Sequence, residues 1–366
     1  MAEPSKIAWV YVGTHRSGPG TGLSRARFDG VSGVLTPPVL VTVAADPAYL
    51  AITQDGHHLY TGNSGTPGGV RAYTLDAGTG ELHLLNAHLS SGRGPSHLSL
   101  DSTGRFVLAA NYHGGYVEVL AIGADGSLGR QTACVQHQGR SVHPDRQTRP
   151  HPHCVRVDPD NRFALVADLG LDQVLVYRFD DSTGGLAAHE PGPVRVTPGS
   201  GPRHFSWHPN RRWIYLVEEI ASAVTVMAWD SDRGILRELQ TLPALPAGFS
   251  GHNTSAEILV HPTGRFLYVS NRGHDSIAAF AVDEPTGRLA PIQHVSSGGR
   301  TPRYMAFDLT GRWLLAANHD SDGIAVFAID RDSGHLRPHG PPVSVHRPSG
   351  LALASVYYDD RHQEYS

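Results

Sequence analysis

Arginine, histidine and glutamate side chains occupy positions of this chain where an ordinary strand end would carry small turn-forming residues. Arg203 and His204 follow a proline in GPRH, and Arg272 closes YVSNR. Glu219 closes YLVEE, and His153 lies in HPH at 151 to 153. A guanidinium group binds carboxylates and phosphates through a planar fork, and a histidine of near-neutral pKa can take up or release a proton. With a carboxylate beside them, such groups could hold an anion and add water to an activated ester, such as a lactone.

Further candidates lie at the same two kinds of position, just after a strand start or at the end of the following strand. The side chains that stand out there are His15, His97, His153, Arg203, His204, Glu219, Glu257, Arg272, Arg303 and His319. The fixed cations in this set are all arginines, which favours binding of an anionic small molecule. As the alternative, the arginines could pair with Glu219 and Glu257 and join neighbouring structural units.

Other polar residues at these strand ends are expected to be structural. Those that fit side-chain caps of turns are Asn63, Asn111, Asp168, Asn271 and Asn318. The HPH cluster has a comparable alternative, in which it stiffens a turn and partners with Asp158 or Asp168.

The sequence lacks the familiar motifs of nucleophilic and metal-dependent hydrolases. It contains no GxSxG and no HExxH, and its 23 histidines are not spaced as zinc ligands. Cys134 and Cys154 have neither CxxC spacing nor a disulfide framework around them. We therefore expect chemistry without a metal or other cofactor. As the alternative, Glu219, Glu257 and asparagine side chains could bind a divalent cation.

A repeated phrase determines which of these side chains share a face. Phrases such as PSHLSLDSTGRFVLAAN begin at residues 47, 95, 152, 202, 255 and 302, between 47 and 57 residues apart. Each contains a short strand, an Asp- and Gly-rich turn and a second strand, and two more strands follow. A strand-rich repeat of this length predicts the four-stranded blades of a β-propeller.

The two chain ends together supply one more blade. WVYVGT near the start resembles a second strand without a first, whereas PSGLALASVYYD from Pro348 resembles a first strand without a second. We predict an all-β, seven-bladed propeller with negligible helix, closed by pairing Trp9–Thr14 with Leu351–Val356. The start of each first strand and the end of each second strand then meet at one mouth of the central channel.

Bulk composition limits the classes of partner. The formal net charge is −4 and no basic run occurs, so nucleic-acid binding is not expected. Neither a signal peptide nor a membrane span is visible, which favours a cytoplasmic protein.

We expect one propeller domain over residues 1–366, with 1–6 and 357–366 flexible. The sequence does not indicate an oligomeric partner.

Four longer segments carry a resemblance to a known family. TRPHPHCVRVDPDNRF, GPRHFSWHPNRRWIYLVEE, AEILVHPTGRFLYVSNRGHDSIAAFAVD and TPRYMAFDLTGRWLLAANHDSDGIAVF are similar to the seven-bladed propeller lactonases. That family contains bacterial 6-phosphogluconolactonases and fungal 3-carboxy-cis,cis-muconate lactonizing enzymes, and the resemblance covers essentially the whole chain.

The resemblance implies metal-free lactone chemistry by a histidine, two arginines and a glutamate. By motif these are His153, Arg203, Arg272 and Glu219. Glu218 is adjacent to Glu219, and the glutamate of the site is whichever of the two side chains points toward the channel mouth. Substrate contacts are expected from His15, His97, His204, Glu257, Arg303 and His319. The favoured reaction is hydrolysis of 6-phosphogluconolactone; a muconate-type lyase and a propeller that only binds a ligand or protein are the alternatives. The long segment before HPH, QHQGRSVHPDRQTRP, could cover the pocket.

Overall fold

The computed structural model describes residues 6–15, 21–44, 46–90 and 92–356. These residues form seven antiparallel sheets arranged as the blades of a propeller. The innermost strands contact one another in sequence around the ring, and β31 contacts both β5 and β26, which closes it. Within this part of the chain the helical content is one 3-10 turn, His319–Ser321. The seven-bladed, essentially helix-free fold predicted from the repeat is confirmed.

The strands of the first three blades follow the repeat. Blade 1 contains β1 (Ile7–Thr14), β2 (Leu23–Asp29), β3 (Val34–Leu35), β4 (Val39–Thr42) and β31 (Pro348–Ser355). Blade 2 contains β5 (Pro47–Ile52), β6 (His58–Asn63), β7 (Gly69–Leu75) and β8 (Leu82–Leu89). Blade 3 contains β9 (His97–Leu100), β10 (Phe106–Asn111), β11 (Tyr116–Ile122) and β12 (Leu128–Gln136).

The remaining four blades have the same order, and in two of them the outer strand is split. Blade 4 contains β13 (Pro152–Val157), β14 (Phe163–Asp168), β15 (Gln173–Asp180), β16 (Gly185–Ala188) and β17 (Val194–Arg195). Blade 5 contains β18 (Pro202–Trp207), β19 (Trp213–Glu218), β20 (Ala223–Asp230) and β21 (Ile235–Pro243). Blade 6 contains β22 (Thr254–Val260), β23 (Phe266–Arg272), β24 (Ser276–Val282) and β25 (Leu289–Ser296). Blade 7 contains β26 (Pro302–Phe307), β27 (Trp313–Asn318), β28 (Gly323–Ile329), β29 (Leu336–Pro338) and β30 (Val343–Ser344).

Blade 1 is composite, as the incomplete phrases at the two chain ends predicted. β1 pairs antiparallel with β31, with Val12 opposite Leu351 and Trp9 opposite Ala354. β1 is therefore paired on both sides, and β31 takes the innermost position of the blade and completes the ring. Of the segments expected to be flexible, 1–6 and 357–366, all but Lys6 lie outside the described residues.

The apolar core lies between neighbouring blades. Phe163 and Leu165 of blade 4, for example, belong to one buried cluster with Phe205 and Leu216 of blade 5. Buried tyrosines on second strands reach the next blade, where the Tyr60 hydroxyl donates to the backbone oxygen of Gly126 at 2.8 Å. Since each blade buries its faces against its neighbours, the ring positions the mouth residues as one rigid frame. None of the described elements is a helix of the length and apolar character that a membrane crossing requires.

Candidate active site

A β-bulge near the start of the innermost strand leaves one residue unpaired at the channel mouth. In β13, β18 and β26 the partner strand pairs with the proline and with the second residue after it, which leaves out His153, Arg203 and Arg303. The same irregularity leaves out Ala48 in β5 and Ser349 in β31. A bulge interrupts the regular alternation of side chains and can aim one in a new direction. The proline-led phrase thus supplies a ring of side chains at one end of the channel.

These side chains surround a cavity of about 480 Å³. Its described lining is His15, Ala48, Tyr49, Ser64, Gly94, Ser96, Tyr112, His113, Arg146, His153, Arg203, His204, Glu219, His252, Thr254, Arg272, Arg303, Tyr304 and Ser349. A larger cavity, of about 630 Å³, lies among the turns at the opposite strand ends of blades 2 and 3, and its described lining contains no arginine. The mouth cavity is therefore the one with the residue types for anion binding and proton transfer.

Glu219 lies at the centre of an arginine cluster on one wall of this cavity. Its Oε2 atom is 3.0 Å from Arg203 Nε and 3.0 Å from Arg272 Nη2. Its Oε1 atom accepts a hydrogen bond from Arg146 Nη2 at 2.5 Å. The contact between Arg203 Nε and Glu219 does not have hydrogen-bond geometry, so it is an ion pair only. The cluster joins strand ends of blades 5 and 6 to the segment before β13.

The arginines keep Glu219 ionised although it is 4% exposed. Burial alone would raise the pKa of this carboxyl group, but the charges of Arg272 and Arg203 hold the pKa well below its usual range. The neighbouring Glu218 faces away, within β19, and accepts a hydrogen bond from Thr225 Oγ1 at 2.8 Å. Burial raises the pKa of Glu218 to about 7. The structure thus assigns the cavity-facing position of this pair to Glu219.

His153 is buried beside Glu219, with its Nε2 atom 4.0 Å from Glu219 Oε2. Burial, followed by the charge of Arg203, lowers the pKa of His153 well below its usual value. The imidazole is therefore neutral near pH 7 and can accept a proton. Its Nδ1 atom is buried and has no hydrogen-bond partner among the described residues, so the proton-accepting atom that the cavity can use is Nε2.

A second polar layer begins at His204, which lines the cavity, and continues deeper in the channel. His204 Nδ1 is 3.1 and 3.2 Å from the two carboxylate oxygens of Glu257. The His97 ring packs 4.3 Å from the Tyr49 ring, and its Nε2 atom is 3.4 Å from Cys154 Sγ. Burial raises the pKa of Glu257 to about 7, although Arg203 and Arg156 act in the other direction. This layer supports the cavity floor from below.

The structure brings most of the sequence-predicted residues together. Those that line the cavity are His15, His153, Arg203, His204, Glu219, Arg272 and Arg303. His97 and Glu257 lie in the deeper layer instead, and His319 bonds Asp320 through Nδ1 at 2.6 Å. The pairing of arginines with Glu219, weighed as a structural alternative, is present, whereas Glu257 pairs with His204. The arginines therefore hold blade ends together and line the cavity at once.

The strand-end amides and Asp168 have structural partners. Asp168 accepts hydrogen bonds from the backbone of His151 and Gly170, and the side-chain amides of Asn271 and Asn318 donate to backbone carbonyls. Asp168 thus caps a turn as predicted, whereas Asn271 and Asn318 join their strand ends to segments 27 and 21 residues earlier in the chain. Asn111 instead donates to the Glu118 side chain, and Asn63 accepts from the Thr61 hydroxyl.

Arg146 is a charged cavity residue that the sequence reasoning missed. It lies in the long segment between β12 and β13, outside the repeated phrase that identified the other candidates. Tyr49, Tyr112 and Tyr304 also line the cavity without having been proposed as site residues. The signal that could have identified Arg146 was the unusual length of this segment, in the longest of the repeat spacings.

The described residues contain no cluster of three or more histidine, cysteine, aspartate or glutamate side chains arranged to hold a metal ion. The cavity instead presents guanidinium groups and imidazoles around one carboxylate. A fixed cation beside the site repels a divalent cation and attracts an anion. The donor set therefore suits an anionic ligand.

Comparisons with known proteins agree with this architecture. A family model described as lactonase, 7-bladed beta-propeller, matches residues 9–353. The 6-phosphogluconolactonase of Bacillus subtilis strain 168 is 36% identical over 299 residues, 81% of this chain and 84% of that protein. The 6-phosphogluconolactonase of Pectobacterium carotovorum is 35% identical over 72% of this chain and 75% of its own. The structure of the periplasmic gluconolactonase of Pseudomonas aeruginosa has a TM-score of 0.91 and 35% identity, and covers 96% of this chain and 100% of that one.

Proposed function

Because the chain belongs to the family of seven-bladed β-propeller lactonases, we propose that it hydrolyses a sugar-acid lactone, 6-phosphogluconolactone, to 6-phosphogluconate at the mouth cavity. The observation that carries the proposal is the arrangement of neutral His153 beside the arginine cluster on Glu219. The relatives named 6-phosphogluconolactonase support the choice of substrate.

The proposed reaction divides between a proton-transfer group and an anion-stabilising group. His153 Nε2 takes a proton from water, whose oxygen forms a bond to the lactone carbonyl carbon. The bond from that carbon to the ring oxygen then breaks, and His153 returns the proton to the ring oxygen as it leaves. The product is an open-chain hydroxy acid, and no oxidant, reductant or metal is consumed.

Arg203 and Arg272 stabilise the negative charge that develops on the carbonyl oxygen. A guanidinium group has five N–H donors, so an arginine that binds Glu219 keeps donors for a substrate. Glu219 acts as the anchor that orients both arginines. Its depressed pKa keeps it ionised at neutral pH, which favours this role over proton transfer.

A panel of lactones tests the proposal against its alternatives. The purified protein is incubated with 6-phosphogluconolactone, gluconolactone and a carboxymuconolactone, before and after dialysis against a chelator. A metal-free lactonase accelerates hydrolysis of the sugar lactones in both preparations. Turnover of the muconolactone alone, by proton transfer without added water, would identify a lyase, and loss of activity that calcium or magnesium restores would contradict the metal-free mechanism.

Cytoplasmic location remains part of the proposal. The Pseudomonas aeruginosa neighbour is described as periplasmic, so the location of this chain needs a direct measurement. Fractionation of cells that express the full chain tests the assignment, with recovery in the periplasmic fraction as the contradicting result.

A further inference from the structure

Arg146 differs from the other arginines on Glu219 in where it comes from and how exposed it is. Arg203 and Arg272 belong to the innermost strand of blade 5 and the second strand of blade 6, and their side chains are 3% and 12% exposed. Arg146 projects from the segment between β12 and β13, and its side chain is 36% exposed. It therefore reaches Glu219 from the solvent side of the cavity.

The deeper arginines are tied to the blade backbone as well as to Glu219. Arg203 Nη1 donates to the backbone oxygen of Ala256 at 2.5 Å. Arg272 donates from Nε and Nη2 to the backbone oxygens of Thr254 and Ser255, at 3.2 and 3.3 Å. These bonds hold both guanidinium groups in place whether or not a ligand is present.

The backbone that carries Arg146 is fixed at its base. The buried Gln147 side chain donates to the Leu169 backbone oxygen at 2.8 Å and to Asp172 Oδ1 at 2.7 Å. Ser141 Oγ donates to Asp172 Oδ2 at 2.5 Å. The segment is thus anchored on blade 4, while the Arg146 side chain extends over the mouth and meets Glu219 and the Tyr112 side chain.

Glu219 does not depend on Arg146 for charge compensation. Its Oε2 atom has Arg203 and Arg272 at 3.0 Å each, so two ion pairs do not involve the Oε1 atom that Arg146 contacts. The cluster carries more positive charge than this one carboxylate neutralises, and Arg303 also lines the cavity. An arriving anion can therefore take the place of Glu219 at Arg146 and leave no buried charge uncompensated.

We propose that Arg146 determines substrate specificity: it exchanges Glu219 Oε1 for the phosphate monoester of the substrate and so selects phosphorylated lactones over unphosphorylated ones. The planar fork of arginine suits two phosphate oxygens at once. Arg203, Arg272 and His153 stay at the reacting carbonyl below. The inference rests on the proposed function, since it assigns a role within the same site.

Steady-state kinetics of Arg146→Ala and Arg146→Lys on 6-phosphogluconolactone and gluconolactone test the inference. Arg140→Ala is the matched control, because Arg140 is an exposed arginine of the same segment that does not line the cavity. We expect Arg146→Ala to lower kcat/KM for the phosphorylated lactone about 10- to 100-fold, mainly through KM, with a much smaller effect on gluconolactone. Arg146→Lys keeps the positive charge but lacks the planar guanidinium group, so its kcat/KM should lie between those of Arg146→Ala and the wild type. Arg140→Ala should match the wild type. Equal losses on both lactones, or none on either, would overturn the inference.

Calorimetry with 6-phosphogluconate and gluconate separates this inference from the proposed reaction. The wild type should bind 6-phosphogluconate more tightly than gluconate, and Arg146→Ala should lose that preference. If this pattern appears in a protein that hydrolyses neither lactone, the proposed reaction fails and the recognition role stands. If Arg146→Ala keeps wild-type affinity for 6-phosphogluconate, the recognition role is wrong whatever the turnover.

Discussion

His204 Nδ1 lies between the two carboxylate oxygens of Glu257, at 3.1 and 3.2 Å, and the His204 ring packs edge-on against His153 with 5.0 Å between ring centroids. A carboxylate buried in the channel thereby fixes the imidazole on which the proposed proton-transfer residue rests. His204 and Glu257 are each 2% exposed. This pair affects the site through the contact of His204 with His153.

Substitution of Glu257 tests whether this residue only stabilises His204 or also takes part in proton transfer. Glu257→Ala leaves the buried Nδ1 of His204 without its partner, so we expect a loss of about 1–3 kcal/mol in the free energy of unfolding. Glu257→Gln keeps an acceptor oxygen and the side-chain volume and should lose less. Denaturant titration measures both. If Glu257→Gln instead keeps its stability but loses kcat as severely as a His153 variant, the His204–Glu257 pair takes part in proton transfer.

His153→Gln removes the proposed acid-base group and keeps a polar side chain at the bulge position. We expect kcat to fall by roughly 10² or more, the usual contribution of a positioned acid or base. Arg303→Ala, at a bulge position without an assigned chemical role, should affect kcat less. Both variants must show the wild-type unfolding transition, so that a change in kcat is not caused by loss of the fold. Near-normal kcat in a folded His153→Gln protein would transfer the role to His204 or another histidine of the cavity.

The pH dependence of kcat/KM should show that His153 titrates abnormally. Burial and then the charges around it, Arg203, His204 and Arg303 against Glu219, lower the pKa of His153 well below 6.5. The neutral imidazole is the active form, so activity persists as pH falls through 6.5 and declines only at distinctly lower pH. Rates are corrected for spontaneous hydrolysis at each pH. An acidic limb centred near 6.5 would contradict this assignment.

Removal of residues 347–366 deletes β31 and tests closure of the ring. β1 then keeps β2 but loses its partner on the channel side, and the apolar surface that Leu351 and Ala354 cover becomes exposed. We expect aggregation and loss of a cooperative unfolding transition, seen by size-exclusion chromatography and denaturation. Deletion of 357–366 alone keeps β31 and is the control. A monomeric 1–346 protein as stable as this control would count against closure by the chain ends.

The sequence was sufficient to predict the blades because each repeats the same alternation of strand and turn. It also predicted the two kinds of strand-end position that supply much of the cavity lining, although the pair Ala256 and Glu257 of blade 6 does not reach the cavity. It did not predict which member of a pair reaches the cavity. Ser96 lines the cavity, whereas His97 lies one residue deeper, beneath the Tyr49 ring. That difference depends on packing between blades that are distant in sequence.

Arg146 escaped prediction for another reason. Its segment has no counterpart in the other repeats, so periodicity gives no information on its path. Contacts of Gln147 and Ser141 with Asp172 decide where the segment lies, and these join residues 25 and 31 positions apart in the chain. Only the three-dimensional structure places the Arg146 side chain on Glu219.

The initial rate of 6-phosphogluconolactone hydrolysis by the wild-type protein tests the central claim most directly. It is measured at a mildly acidic pH, where spontaneous hydrolysis is slow, and in the presence of a chelator. The account predicts a rate that rises in proportion to protein concentration, saturates with substrate and clearly exceeds the spontaneous rate. A rate equal to the spontaneous one at every protein concentration, from a protein with an intact unfolding transition, would contradict it.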